Sequence, residues 1–164
     1  ADTTVHIEYN ENELFCMVRD VYNRVKSFQI EPRIALISYS NFGSNTGSSP
    51  EMMRKVVERL HAECPEIMVD GEMQPVYAID GQLRQSLYPF NKLGTKSANT
   101  FIFSDLSSGN AAYQLMRTMG GLETIGPVLL GMNKTAHILH HSSNVREILN
   151  MVALGVCEAQ DRLK

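Results

Sequence analysis

The fold is indicated by residues 34–50, which read IALISYSNFGSNTGSSP. The four apolar residues from Ile34 to Ile37 suit a short strand that is buried on both faces of a parallel sheet. A loop rich in Ser, Asn and Gly follows, and Ser49-Pro50 has the N-cap and first-position chemistry of a helix. The stretch therefore predicts a strand, a polar loop and a helix N-terminus, which is the repeating unit of an α/β fold.

The same alternation of strands and helices continues on both sides of this unit. Asn10 with Glu13 and Asn144 with Glu147 form capping boxes that open a first and a last helix. Short strands between helices predict a three-layer αβα sandwich around a mainly parallel sheet, with residues 1–164 as a single α/β domain. Further strands are predicted at residues 4–9, 67–69, 100–103, 127–130 and 136–139, and helices at residues 14–28, 53–64, 77–87, 110–119 and 148–159.

Composition excludes several classes of protein. The 164 residues contain 43% hydrophobic and 20% charged residues, which fits a globular domain with a packed core. The net charge of -3 and the absence of a long apolar run give no reason to expect nucleic acid or a membrane as a partner. Cys16, Cys64 and Cys157 lack metal-ligand spacing and indicate a reducing, cytoplasmic compartment, with Cys16 and Cys157 expected in the core.

Ligands of such sheets bind at the carboxyl ends of the strands, which directs attention to the loops that follow them. The hydroxyl, amide and backbone N–H groups of residues 38–49 suit a phosphate or similar anion, and a polar connector explains them equally well. Asp70 and Glu72 follow a predicted strand and could serve acid–base chemistry or a divalent cation. Because Asp-Gly is a common turn, we favour a turn at this point.

Two later segments carry further polar side chains. Residues 107–110 are expected to cap the next helix rather than to bind a ligand. Lys134 follows a predicted strand and is either an anion partner or a solvated lysine. His137, His140 and His141 have no cysteine or carboxylate among them, so no metal site is expected.

Several ordered motifs resemble the phosphate acetyl/butyryltransferase family and together cover nearly the whole chain. The form Ser40-Asn41-Phe42-Gly43-Ser44 looks most like the version of this domain that is fused to the C-terminus of bacterial NADP-dependent malic enzymes. The motifs that carry the resemblance lie at residues 30–33, 38–44, 70–74, 97–99, 109–113, 125–131, 150–154 and 158–160.

The chain departs from active members of that family at the positions that carry the chemistry. Active phosphotransacetylases have Thr-Lys where Asn41-Phe42 stands. They also have Ser-Arg-Gly and a following Asp where this chain has residues 140–142 and Glu147. Acyl transfer between a CoA thiol and an acyl phosphate needs a base and a fixed cation, so Glu147 and His141 occupy degenerate catalytic positions. The resemblance therefore implies impaired catalysis.

The resemblance implies that the chain is the C-terminal part of a transferase-like domain that senses acetyl-CoA or CoA and assists homo-oligomer assembly. Malate oxidation and decarboxylation to pyruvate, NADP and the divalent metal would belong to an N-terminal region absent here, so no cofactor is expected in this segment. The residues predicted to face the ligand cleft are Ser40, Asn41, Ser44, Asn110 and Lys134. Two alternatives remain open: an active phosphate acetyltransferase with Glu147 and His141 in altered roles, and a purely structural assembly domain.

Overall fold

The computed structural model describes residues 1–121, 124–141 and 143–161, and these residues include a three-stranded parallel sheet. The strands are β1 (Ile34–Ile37), β2 (Val69–Met73) and β3 (Thr100–Phe103), in the order β2-β1-β3. All four residues of the central strand are buried, as the apolar run predicts. The helices are α1 (Glu11–Ser27), α2 (Ser48–Glu63), α3 (Pro75–Ile79), α4 (Gly81–Leu87), α5 (Leu106–Gly120) and α6 (Val145–Asp161). The predicted α/β sandwich with a mainly parallel sheet is confirmed.

The chain divides into two units, Ala1–Asn110 and Ala111–Lys164. In the first unit, α2 packs against β2 and α1 packs against α2. The predicted capping box opens α1: the Glu13 amide donates to the Asn10 side chain over 3.0 Å, and the Asn10 amide donates to the Glu13 carboxylate over 2.9 Å. The buried core residues of this helix pair are Leu14, Phe15, Val18, Val21, Tyr22, Met53, Val56, Val57 and Leu60.

A second core cluster contains residues of β1, β2 and α3 together with the segment at residues 88–98. The predicted single helix at residues 77–87 is two short helices, because Asp80 ends α3 and caps α4 by accepting the Leu83 amide over 2.9 Å. A Cβ atom at Gly81 would collide with the Thr95 carbonyl, so glycine allows this close approach.

The predicted strand at residues 4–9 is wrong. The segment forms only an isolated antiparallel bridge between Glu8 and Asp105. Its backbone instead turns around Asp2, whose carboxylate accepts the amides of Thr4, Val5 and His6 at 2.7–3.0 Å. A local carboxylate therefore replaces the ladder of hydrogen bonds that a strand would need.

In the second unit, the predicted strands at residues 127–130 and 136–139 are not formed. The residues that the structure describes in this unit include no strand. The capping box of α6 is confirmed, and Ile148, Val152 and Val156 on this helix are 40–56% exposed. Cys16 and Cys157 are also exposed, contrary to the prediction, and Cys64 is buried.

None of the helices in the described part of the chain combines the length and the apolar character needed to cross a membrane.

Candidate functional site

The loop at residues 38–47, called the β1 loop below, begins at the carboxyl end of β1, where the fold places ligand-binding loops. Two consecutive positive φ angles, 46° at Phe42 and 92° at Gly43, turn the loop back on itself. Its backbone is attached to β2, because the Ser38 amide donates to the Met73 carbonyl over 2.9 Å and the Phe42 amide to the Glu72 carbonyl over 2.8 Å. The loop thus has a defined conformation beside the end of β2.

The turn predicted at Asp70-Gly71-Glu72 is wrong, since these residues lie inside β2. Gly71 has a φ of 138°, and a Cβ atom there would lie 2.8 Å from the carbonyl oxygen of Leu36. Glycine is therefore needed for close strand packing and not for a turn.

The register between β1 and β2 shifts after Leu36, so that Ile37 pairs with Met73 and Glu72 is the extra residue of β2. Such an irregularity changes the direction in which the side chain of the extra residue points. Asp70 accepts the backbone amide of Lys92, whereas Glu72 contacts Arg54 of α2. The two carboxylates thus bind different elements: Asp70 binds the segment at residues 88–98, and Glu72 binds α2.

Both carboxylates are buried and already hydrogen-bonded. Burial raises the pKa of Asp70 above its usual value, although amides of Lys92 and Gly71 partly counter this effect. Among the residues that the structure describes, no group of three or more His, Cys, Asp or Glu side chains is placed to hold a metal ion.

Glu72 is the central residue beneath the β1 loop. Its side chain is 0% exposed, and its Oε1 atom accepts three hydrogen bonds. The donors are the Ser40 hydroxyl at 2.6 Å, the Gly43 amide at 3.0 Å and the Arg54 guanidinium at 2.9 Å. Glu72 therefore connects the loop to the helix that follows it.

The structure brings Ser40, Asn41 and Ser44 together, largely through contacts within the loop. Ser40 is fully buried, and its Oγ atom also accepts the Asn45 amide over 3.1 Å. Asn41 accepts the Gln74 amide on its Oδ1 atom over 2.8 Å, and Ser44 Oγ accepts the Asn41 amide over 2.9 Å. Ser44 is exposed, so it is the member of this group best placed to contact a ligand.

The N–H groups of residues 40–45 are all hydrogen-bonded within the protein, so the β1 loop is not an open cradle for an anion. Helix α2 begins at Ser48, and its N-cap is Gly47 instead of the predicted Ser49. Glycine gives no side-chain cap, and the first amides of a helix have no partner within the helix. The start of α2 therefore offers backbone donors beside this loop.

Phe42 belongs to an aromatic cluster that sequence reasoning did not find. Its ring centroid lies 4.8 Å from that of Tyr88 and 5.4 Å from that of Phe90, and Tyr77 contacts Tyr88 edge-on at 5.4 Å. Phe90 is 64% exposed. Local sequence gives no signal for this cluster, because its members come from three separate segments.

Asn110 lies inside α5, which begins at Leu106, four residues earlier than predicted. Asp105 caps the helix by accepting the Ser108 amide over 2.9 Å, so the serines of residues 107–110 do not form a loop. The Asn110 side chain donates to the carbonyl of Thr3 over 3.0 Å and thereby holds the N-terminal segment.

In the second unit, both carboxylate oxygens of Glu147 are engaged. Oε2 accepts the Asn144 amide over 3.0 Å, and Oε1 pairs with Arg117 at 2.8 Å. His141 and Lys134 are exposed, and the His141 ring lies 4.3 Å from that of His140.

The buried histidine of this unit is His137. Its Nε2 atom lies 3.1 Å from Glu158, with both side chains less than 10% exposed. Sequence reasoning treated His137 as one of a cluster and did not identify this pair.

The chain belongs to the phosphate acetyl/butaryl transferase family, whose sequence model matches residues 1–156.

Relatives include malic enzymes and phosphate acetyltransferases. An NADP-dependent malic enzyme of Haemophilus influenzae is 38% identical over 160 residues, which are 98% of this chain and 21% of that protein. A phosphate acetyltransferase of Buchnera aphidicola is 35% identical over 154 residues, 94% of this chain and 22% of that protein. The crystal structure of a phosphotransacetylase from Streptococcus pyogenes matches with a TM-score of 0.90 and 29% identity, covering 98% of this chain and 49% of that one. The chain thus spans about a fifth of the length of these two curated relatives and about half of the solved one.

Proposed function

We propose that this chain is a catalytically impaired, acyl-CoA-binding domain of an NADP-dependent malic enzyme. The 38% identity to such an enzyme over 98% of the chain supports this assignment. Conversion of malate to pyruvate and CO2, with NADP and a divalent metal, would be the work of other parts of that protein. In this proposal acetyl-CoA regulates the enzyme, and the domain assists homo-oligomer assembly in the cytoplasm.

The observation that carries the proposal is the engagement of Glu147. Transfer of an acetyl group from CoA to phosphate requires a base that exchanges a proton with the CoA thiol. To act as that base, Glu147 would have to give up either the cap of α6 or its pair with Arg117. The carboxylate at the degenerate catalytic position thus has a structural partner on each oxygen.

The β1 loop gives a second, independent argument. Where the family resemblance places a lysine, Phe42 directs a ring into the aromatic cluster, and the neighbouring Asn41 accepts the Gln74 amide. The nearby Arg54 is paired with Glu72. A phosphoryl group that develops charge needs a fixed cation, so these contacts favour binding over transfer.

Titration calorimetry of the complete natural protein with acetyl-CoA tests the proposal. We expect saturable binding, and we expect the rate of malate-dependent NADPH formation to change over the same range of acetyl-CoA concentration. Absence of binding would refute the proposal. Substitutions in the β1 loop that leave the response to acetyl-CoA unchanged would instead favour a purely structural assembly domain.

A second candidate is an active phosphate acetyltransferase. The 35% identity to the Buchnera aphidicola enzyme over 94% of the chain favours it. In that case Glu147 and the exposed His141 would act in altered roles. Phosphate-dependent release of CoA from acetyl-CoA, abolished by Glu147→Gln, would support this candidate against the first.

A further inference from the structure

The Arg54–Glu72 pair joins the β1 loop to α2 at one buried point. Arg54 reaches Glu72 from α2, and its side chain is 26% exposed whereas that of Glu72 is 0% exposed. The same carboxylate oxygen accepts the Ser40 hydroxyl and the Gly43 amide. One ion pair thus holds two separate positions of the loop.

Arg54 also reaches the far side of the loop. Its Nη1 atom donates to the Asn45 carbonyl over 3.3 Å, and the Asn45 amide donates to Ser40 Oγ over 3.1 Å. These bonds form a closed circuit from Arg54 through Glu72, Ser40 and Asn45. Hydrogen bonds in such a network depend on one another, so loss of one charged member weakens the others together.

Charge balance explains why Arg54 is needed. A fully buried carboxylate is unfavourable unless a cation compensates it, and the two neutral donors from the loop supply hydrogen bonds without a formal charge. If Arg54 is removed, Glu72 becomes a buried anion without a compensating cation, which is strongly unfavourable. The loop that encloses the carboxylate should then open to let water reach it, and the bonds of Glu72 to Ser40 and Gly43 should be lost.

We propose that Arg54 and Glu72 are positioning residues, which hold the β1 loop in the conformation that binds acyl-CoA. The choice of acyl-CoA as ligand rests on the proposed function, whereas the loop conformation does not. In this role Arg54 acts through Glu72 and does not itself contact the phosphates of the ligand.

The test compares Arg54→Met with the double variant Arg54→Met/Glu72→Gln in the complete natural protein. We expect Arg54→Met to weaken acetyl-CoA binding at least about tenfold, because small displacements of a binding loop have large effects. We expect hydrogen exchange at the Gly43 and Asn45 amides to become faster. Adding Glu72→Gln removes the uncompensated charge and should recover part of both losses.

Lys55→Met is the matched control, because Lys55 is the neighbouring cation on α2 and pairs at 3.0 Å with the exposed Glu51. This variant also removes one positive charge from α2, and it should leave the affinity for acetyl-CoA and the hydrogen exchange at the Gly43 and Asn45 amides unchanged. If Arg54→Met does not fold, Arg54→Lys, which keeps the charge but not the planar donor group, should give an intermediate loss.

The outcomes separate the two proposals. If the unmodified protein does not bind acetyl-CoA, the proposed function fails, and hydrogen exchange at Gly43 and Asn45 still decides the positioning role. Unchanged exchange at both amides in Arg54→Met would overturn that role. A loss of affinity that Glu72→Gln does not relieve would also overturn it, because Arg54 would then contact the ligand directly.

Discussion

Replacement of the buried Arg84 by methionine tests how the segment at residues 88–98 is held. Arg84 is 0% exposed, and its guanidinium donates to five acceptors. Four of these bonds measure 2.6–3.0 Å, and the fifth, to the Ala78 carbonyl, is longer at 3.3 Å. At about 1 kcal/mol for each of the four short bonds, the substitution should lower the free energy of unfolding by about 4 kcal/mol. The acceptors of the four short bonds are Tyr77 O, Asn91 Oδ1, Gly94 O and Lys96 O.

Urea unfolding followed by circular dichroism measures this change. Arg33→Met is the matched control, because Arg33 donates its Nε–H to a single carbonyl of the same segment, Ser97 O, over 2.7 Å. The control should lose about 1 kcal/mol. If Arg84→Met costs no more than Arg33→Met, the guanidinium does not organise this segment and the reasoning is refuted.

Three further predictions concern single residues. Burial opposes ionisation of Asp2, but hydrogen bonds from Thr4, His6 and Val5 outweigh it and hold its pKa at about 2, against a usual 3.8. The stability that ionised Asp2 contributes to the fold is therefore present above about pH 4 and lost as the pH falls toward 2. In acid unfolding, Asp2→Asn should lack this pH-dependent loss of stability. Gly71→Ala should destabilise the fold by at least about 2 kcal/mol in urea, because its φ of 138° and the Leu36 carbonyl exclude a Cβ atom. Phe42→Leu should cost about 1–2 kcal/mol from lost ring contacts in the same assay, and an unchanged midpoint would show that the cluster adds no stability.

The sequence was sufficient to predict an element of the fold wherever a local pattern is compatible with only one structure. The apolar run from Ile34 to Ile37 required a central strand, and the Asn10 capping box required a helix start. The Asp70-Gly71 pair has two meanings. The same glycine that favours a turn also permits close approach of two strands, and the choice depends on Leu36, which is 35 residues away in the chain.

The place of the β1 loop in the fold was predictable, but its contacts were not. The apolar run and the polar residues after it predicted a loop at the end of a strand, and such a loop does follow β1. This pattern did not reveal that Ser40 donates to Glu72, because that partner lies on a different strand and is turned toward α2 by a register shift. Helix α5 begins before the predicted Asn110 because its cap is Asp105, so Asn110 lies within the helix. Polar residues of similar type therefore had different roles that only tertiary contacts determine.

The central claim is that the domain binds acetyl-CoA without transferring its acetyl group. Titration calorimetry of the complete natural protein with acetyl-CoA in excess phosphate measures binding. Chromatography of the solution recovered from the calorimeter then shows whether the acetyl group has been transferred. Our account predicts saturating binding heats and acetyl-CoA recovered intact. Recovery of free CoA and acetyl phosphate, or the absence of binding heat, would contradict it.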